Sequence, residues 1–249
     1  MGTMILAHRG ASAYQPENTL EAFRLAIEQG TDGFELDVHL TKDGQVVVAH
    51  DEGLERVSDG SGLINSHTLD ELKNLDFSKS FPELPVCRIP TLEEVYALVK
   101  GKGLTVNVEL KTTVLLYPEL PAKLIKLERE YAMEGCVIYS SFNHYSLLEL
   151  RKIDPRAKIG LLYNTGLVDP WVYARYLSAD AIHPYYTIVA LLPETVARCH
   201  DEGIMVNVWV VNDPEMISLM LKCGVDAVMT DKPDVAVACR DKFINQKKE

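Results

Sequence analysis

The chain of 249 residues has no run approaching the ~20 consecutive apolar residues that a membrane-crossing helix needs. Yet 47% of its residues are hydrophobic, ample for a folded core. Paired cysteines are also missing. Cys87, Cys136, Cys199, Cys223 and Cys239 are odd in number, widely scattered and without CxxC spacing. That argues against a disulfide framework or a zinc site and points to a reducing cytoplasm, with each cysteine a small hydrophobe rather than a nucleophile. Positive charge is scarce, with 25 Lys and Arg against 36 Asp and Glu and a net charge of −11. Such a chain has no general attraction for nucleic acid or an anionic membrane, so an anionic substrate needs local cations or a metal. Low-complexity segments and fixed-period repeats are absent. Met1-Gly2-Thr3-Met4 leads directly into Ile5-Leu6-Ala7, so no secretory leader is expected, and Leu6 stands where a myristoylation signal wants Ser or Thr. The expected location is cytoplasmic, with no membrane insertion.

What the chain does have is an alternation of short β-branched runs with amphipathic helical stretches, the pattern of βα units around a parallel sheet. Strands are expected at 5–8, 33–38, 45–49, 105–110, 136–140, 158–162, 180–183, 205–210 and 226–230. The run at 45–49 follows its predecessor after only Thr41-Lys42-Asp43-Gly44. A parallel crossover needs about a dozen residues, so this run must return antiparallel as a hairpin. Eight strands remain, the count of a (β/α)8 TIM barrel in one domain over 1–249. Helix starts are read at Asn18 with Glu21, at Thr91 with Glu94 and at Asp213-Pro214, and Gly30, Gly101 and Gly224 mark the ends. Residues 51–90 break the alternation, being polar and Gly/Ser-rich early and ending in Pro82, Pro85 and Pro90. They are expected to form a small insertion over the C-terminal mouth of the barrel.

Residues two apart on a strand face the same way. Glu35 projects with Asp37, Asn107 with Glu109 and Lys111, and Asn207 with Trp209. Polar groups on otherwise apolar strands are costly unless they reach a polar destination, and in barrels that destination is the C-terminal mouth. Glu35, Asp37 and Glu109 there suit one divalent cation, Mg²⁺ or Ca²⁺ and also Mn²⁺, as hard oxygen ligands. The alternative is a buried salt-bridge network with Lys or Arg. His8 and His50 end a strand and the hairpin, which suits proton transfer, though a strand-end histidine is often only a hydrogen-bonded core residue. Arg9 and Lys111 suit phosphate binding, or charge compensation of the same acids. Trp209 is either a pocket wall or a core residue. Among the other histidines, His39 is expected in an exposed hairpin, His67 in the insertion, His144 at a helix start and His200 in a last helical turn. His183, ending a strand, is kept as a pocket candidate.

Taken together, His8-Arg9-Gly10, Pro16-Glu17-Asn18-Thr19, Glu35-x-Asp37, His50-Asp51, Glu109-x-Lys111 and Thr230-Asp231-Lys232-Pro233 resemble the bacterial glycerophosphodiester phosphodiesterases. The resemblance runs from the first strand to the last. It implies a somewhat distorted TIM barrel with an insertion, and metal-dependent cleavage of glycerophosphodiesters to glycerol 3-phosphate and an alcohol. It also implies Glu35, Asp37 and Glu109 as metal ligands and His8 and His50 as the acid–base pair. Arg9 and Lys111 would hold phosphate, with Glu17 and Trp209 beside the substrate. The expected partner is the small-molecule glycerophosphodiester, and a homodimer stays open. Three other readings compete. A related phospholipase acting on intact lipids predicts exposed apolar residues around the mouth. A glycosidase leaves the histidines and Lys111 unexplained. A non-enzymatic phosphate-binding barrel would usually have lost a site residue, and none is missing.

Overall fold

The computed structural model describes residues 2–246. Nine strands are present: β1 (Met4–His8), β2 (Gly33–Leu40), β3 (Val46–Val48), β4 (Thr105–Leu110), β5 (Val137–Ser141), β6 (Ile159–Tyr163), β7 (Ala181–Pro184), β8 (Met205–Val208) and β9 (Ala227–Thr230). Their order is β1-β9-β8-β7-β6-β5-β4-β2-β3, and β1 also pairs with β2, so all but β3 close into a parallel barrel. β3 lies antiparallel on β2 with Val38 opposite Val48 and Leu40 opposite Val46, the hairpin required by its short connection. β8 ends earlier than its apolar pattern suggested, so Trp209 keeps a single bridge to Tyr185 and Val210 leaves the sheet at the rim.

The strand period of two sorts the side chains. Phe34, Leu36 and Val38 of β2, with Val106, Val108 and Leu110 of β4, face the helices and join Phe23, Leu92, Val95 and Tyr96 in the main core. The alternate positions, Glu35, Asp37, Asn107 and Glu109, go into the barrel and are buried. Barrel register then sets their neighbours: His8 pairs with Glu35, and Asp37 with Glu109.

The structure departs from the sequence expectation at Asn18 and at His39. Thr19, not Asn18, caps the helix Leu20–Glu28, its side chain accepting from the Ala22 amide. Asn18 instead takes a left-handed backbone with φ 57° and turns its side chain into the barrel. His39 is fully buried rather than exposed in the hairpin. Tyr117, from the loop after β4, and the His50 carbonyl each lie 3.1 Å from one of its ring nitrogens. The Thr91–Glu94 capping box and the Asp213 cap with left-handed Gly224 are present as read.

Residues between β3 and β4 carry a second cluster of their own, in which Leu54, Val57, Ile64, Leu72, Phe77 and Ile89 pack with Val47 and Ala49. A helix at Leu69–Lys73 opens with a Thr68–Glu71 capping box. All five cysteines are unpaired. Burial pushes the Cys87 and Cys199 thiols up to about 12, which makes them poor nucleophiles. No helix among the described residues is long and apolar enough to cross a membrane.

His183 does not reach the pocket. It is fully buried in the barrel floor, where its Nε2 accepts from Asn207 Nδ2 at 2.9 Å. Its ring fills space left by Gly160, whose added Cβ would sit 2.3 Å from Nε2. Burial drops this imidazole to about 3, so the folded protein keeps it neutral where the unfolded chain protonates it near 6.5. Its contribution to stability is therefore full above the unfolded value and is lost as pH falls from there toward 3. Between pH 6.5 and 5 the loss is about 2 kcal/mol. His183→Gln should abolish this part of the acid sensitivity in urea unfolding at pH 7.5, 6.5 and 5. An unchanged pH slope would refute the assignment.

Candidate active site

A cleft of about 450 Å³ opens at the C-terminal ends of the barrel strands, lined by His8, Arg9, Glu35, His50, Asn107, Glu109, Lys111, Phe142, Leu162, Trp209, Val210 and Met229. Seven of the nine residues singled out from sequence line it. The other two stand just behind: Asp37 is fully buried, and Glu17 meets Arg9 at 3.0 Å. The hairpin returns His50 to the cleft.

Glu35, Asp37 and Glu109 each offer a carboxylate oxygen, and these oxygens lie within 4.8 Å of one another. Such crowding in a buried place is unfavourable without compensation. Burial, then Asp37 and Glu109, push the Glu35 carboxyl well above its ordinary value. Burial and Asp37 raise Glu109 to about 7. Asp37 goes the other way, because Arg9, Lys111 and His50 outweigh its burial and hold it ionised. Lys111 Nζ stands 2.9 Å from Glu109 and 3.6 Å from Asp37, and Arg9 Nε 3.3 Å from Asp37. With all three acids ionised, Arg9 and Lys111 leave one negative charge uncompensated, which a bound cation would balance. Asp37 Oδ1 is buried and accepts no hydrogen bond, with Lys111 Nζ standing off at 3.6 Å. The donor set therefore fits a divalent cation. The salt-bridge network of the alternative reading is also present, and it leaves that oxygen without a hydrogen bond.

Each cleft histidine is held by a carboxylate on Nδ1. His8 Nδ1 lies 2.6 Å from Asp231, and His50 Nδ1 lies 2.6 Å from Asp51. This geometry leaves Nε2 of each ring for the cleft, and His8 Nε2 stands 3.9 Å from Glu35. Asp231 is itself fixed by Ser12 Oγ at 3.0 Å and Asn212 Nδ2 at 2.5 Å. Against burial, His8, Asn212 and Ser12 bring Asp231 down to about 2, and Arg56 and His50 bring Asp51 to about 2. Burial lowers His50 below the usual imidazole value, aided by Arg9 and Lys111 and opposed by Asp37.

Arg9 follows β1 with φ 57°, a strained conformation for a residue with a side chain. Its amide donates to the Glu35 carbonyl at 3.0 Å, and its own carbonyl accepts from the Asn18 amide at 2.9 Å. Gly10 beside it cannot be replaced, because a Cβ would come within 2.7 Å of the Ala22 backbone at φ +82°. Trp209 donates Nε1–H to the His183 carbonyl at 2.7 Å and meets Phe142 edge-on, with ring centroids 5.5 Å apart.

Sequence reasoning missed four residues of this constellation, Asn18, Asp51, Arg56 and Asp231. Asn18 Nδ2 donates to Asp37 Oδ2 at 2.9 Å. Asp51 and Asp231 enter the sequence reading only as members of motifs, and Arg56 does not enter it. An Asn or Asp beside a motif residue carries no periodic signal, so only the resemblance of the motifs could have pointed to them.

The profile of the Glycerophosphoryl diester phosphodiesterase family matches residues 8–235. A glycerophosphodiester phosphodiesterase of Caldanaerobacter subterraneus subsp. tengcongensis is 46% identical over 238 residues, covering 95% of this chain and 97% of the relative. Among solved structures, an Oleispira antarctica phosphodiesterase in complex with the product sn-glycerol-3-phosphate is 29% identical. It superposes with a TM-score of 0.87 over 96% of each chain. The glycerophosphodiester phosphodiesterase of Thermotoga maritima, 31% identical, gives a TM-score of 0.79 over 96% of this chain and 98% of its own. With its barrel, its acidic cluster and its carboxylate-held histidines, the chain belongs to the glycerophosphoryl diester phosphodiesterase family.

Proposed function

We propose that this enzyme hydrolyses glycerophosphodiesters to sn-glycerol 3-phosphate and an alcohol, with one divalent cation held by Glu35, Asp37 and Glu109. The observation that carries the reading is the convergence of three buried carboxylates, two cations and two Nδ1-anchored histidines on one cleft. Bound there, Mg²⁺, Ca²⁺ or Mn²⁺ supplies Lewis-acid stabilisation of negative charge on the phosphoryl oxygens. Arg9 and Lys111 reach from the acids toward the cleft and take the remaining phosphate oxygens. Asp51 and Asp231 keep His50 and His8 in the tautomer with a proton on Nδ1, so each Nε2 can accept or donate one. One histidine removes the proton of the attacking hydroxyl, and the other protonates the departing alcohol oxygen. Glu17 holds Arg9 in place, and Trp209 walls the cleft beside Phe142. The unpaired cysteines support a cytoplasmic setting.

The test is release of glycerol 3-phosphate from glycerophosphocholine and glycerophosphoethanolamine with each cation and with EDTA. Turnover should require a cation and stop in EDTA. Absence of turnover with all three would remove the proposal.

One observation favours a second reading, action on intact lipids. Leu116, Tyr145 and Val168 are 74–91% exposed in segments that follow β4, β5 and β6, on the rim that bears the cleft. Phe142 and Leu162 line both the cleft and an adjoining groove with Val168 and Tyr173. Higher kcat/KM on lysophosphatidylcholine than on glycerophosphocholine, reduced selectively by Val168→Asp, would establish this reading. No lipid turnover would leave the water-soluble diesters alone.

A further inference from the structure

We propose that Arg56 is a positioning residue of the active site, aligning His50 through Asp51 and Arg9 through Glu17; this rests on the catalytic reading of His50 and Arg9 given above. Arg56 belongs to the segment after the hairpin and does not line the cleft. Its guanidinium nevertheless engages two carboxylates with all three nitrogens. Nε donates to Asp51 Oδ2 at 2.5 Å, while Nη1 and Nη2 donate to the two oxygens of Glu17 at 2.8 Å each. The other oxygen of Asp51 holds His50 Nδ1, and Glu17 Oε1 also accepts from Arg9 Nη1 at 3.0 Å. An unbroken chain of charge-assisted bonds thus runs His50–Asp51–Arg56–Glu17–Arg9 and ends on Asp37, which Arg9 meets at 3.3 Å.

The arrangement is directional. Asp51 and Glu17 come from different segments, each in contact with its own site residue, and among the described residues only Arg56 joins both. Without it, each carboxylate could swing with its partner, His50 in one case and Arg9 in the other. Arg56 is 44% exposed, so its pairs are screened and contribute little to global stability. A bidentate fork instead fixes angle as well as distance. Lysine offers one point charge and cannot grip Glu17 in two places while also reaching Asp51. Arg56 therefore acts on the chemistry from outside the cleft, because its guanidinium holds both Asp51 and Glu17.

The experiment is steady-state kinetics on glycerophosphocholine with Arg56→Gln, Arg56→Lys, Asp51→Asn and the Arg56→Gln/Asp51→Asn pair. Thermal midpoint and Mn²⁺ affinity by calorimetry are measured alongside, with His50→Ala as the control. Arg56→Gln should lower kcat at least about tenfold, as misplaced catalytic groups do. Its midpoint should stay within a few degrees and its Mn²⁺ affinity should not change. Arg56→Lys should recover part of the loss. The paired variant should lose less than the product of the two single losses, since both break the His50 arm and only the Arg9 arm is added. Wild-type kcat and KM in Arg56→Gln would overturn the proposal, as would a loss that tracks the thermal midpoint or multiplies fully with Asp51→Asn. If His50→Ala kept full turnover, the catalytic reading itself would fall. An inactive His50→Ala beside a fully active Arg56→Gln would remove only the role of Arg56.

Discussion

Glu35→Gln is expected to cut turnover by about a thousandfold, because losing a ligand forfeits several kcal/mol of transition-state stabilisation at tenfold per ~1.4 kcal/mol. The same change should make the metal-free protein more stable at alkaline pH. Burial and the neighbouring Asp37 and Glu109 raise the Glu35 carboxyl well above its ordinary value, so ionising it in the folded state is unfavourable. A carboxyl raised on folding binds protons more tightly when folded, so stability is lost as pH climbs from the unfolded value through the folded one. For Glu109 that window runs from 4.5 to about 7, with an effect on the order of 3 kcal/mol. This contribution opposes that of His183 between pH 5 and 6.5, so it is read as the difference in urea-unfolding pH slope between metal-free wild type and Glu35→Gln. Saturating Mn²⁺ should reverse the trend by binding only the folded, ionised site. Glu35→Gln should show a shallower pH slope and little stabilisation by Mn²⁺. A variant that bound and was stabilised by Mn²⁺ like wild type would show that Glu35 is not a ligand.

The second large effect is expected at the histidines. His8→Ala and His50→Ala should each lower kcat by about 10²–10⁴-fold, the range for losing a positioned proton donor or acceptor. Mn²⁺ affinity should be largely retained, which separates these variants from Glu35→Gln. Asp231→Asn and Asp51→Asn should act in the same direction, since an amide in place of the carboxylate on Nδ1 permits the wrong tautomer. Both histidine variants turning over at wild-type rate would exclude an acid–base role for the pair.

Much of this site was legible because it follows a short-range rule. Glu35 and Asp37 are two apart on a strand whose intervening residues, Phe34, Leu36 and Val38, belong to the core. A period of two leaves the acids no direction but inward. The four residues from Thr41 to Gly44 forced a hairpin, and the hairpin brought His50 back to the cleft. His39 and His183 were misjudged because burial depends on what packs over a residue. Tyr117 covers the first, and the barrel interior with Asn207 and Gly160 encloses the second. Asn18 read as a helix cap because the capping pattern is equally satisfied one residue later, by Thr19. Freed from that duty, Asn18 bonds to Asp37.

The sequence by itself determined the order of strands, the hairpin, and which side of each strand is polar. These depend on chain connectivity and on steric periods that act over a few residues. Tertiary structure alone decided who meets whom. Barrel closure set His8 beside Glu35 and Asp37 beside Glu109. It brought Asp231 onto His8 across 223 positions, and it let Arg56 span Glu17 and Asp51. The shifts of Glu35, Asp37 and Glu109 arise from burial and from charges on other strands. Electrostatic energy depends on distance in space and on the surrounding dielectric, and neither is a property of position along the chain.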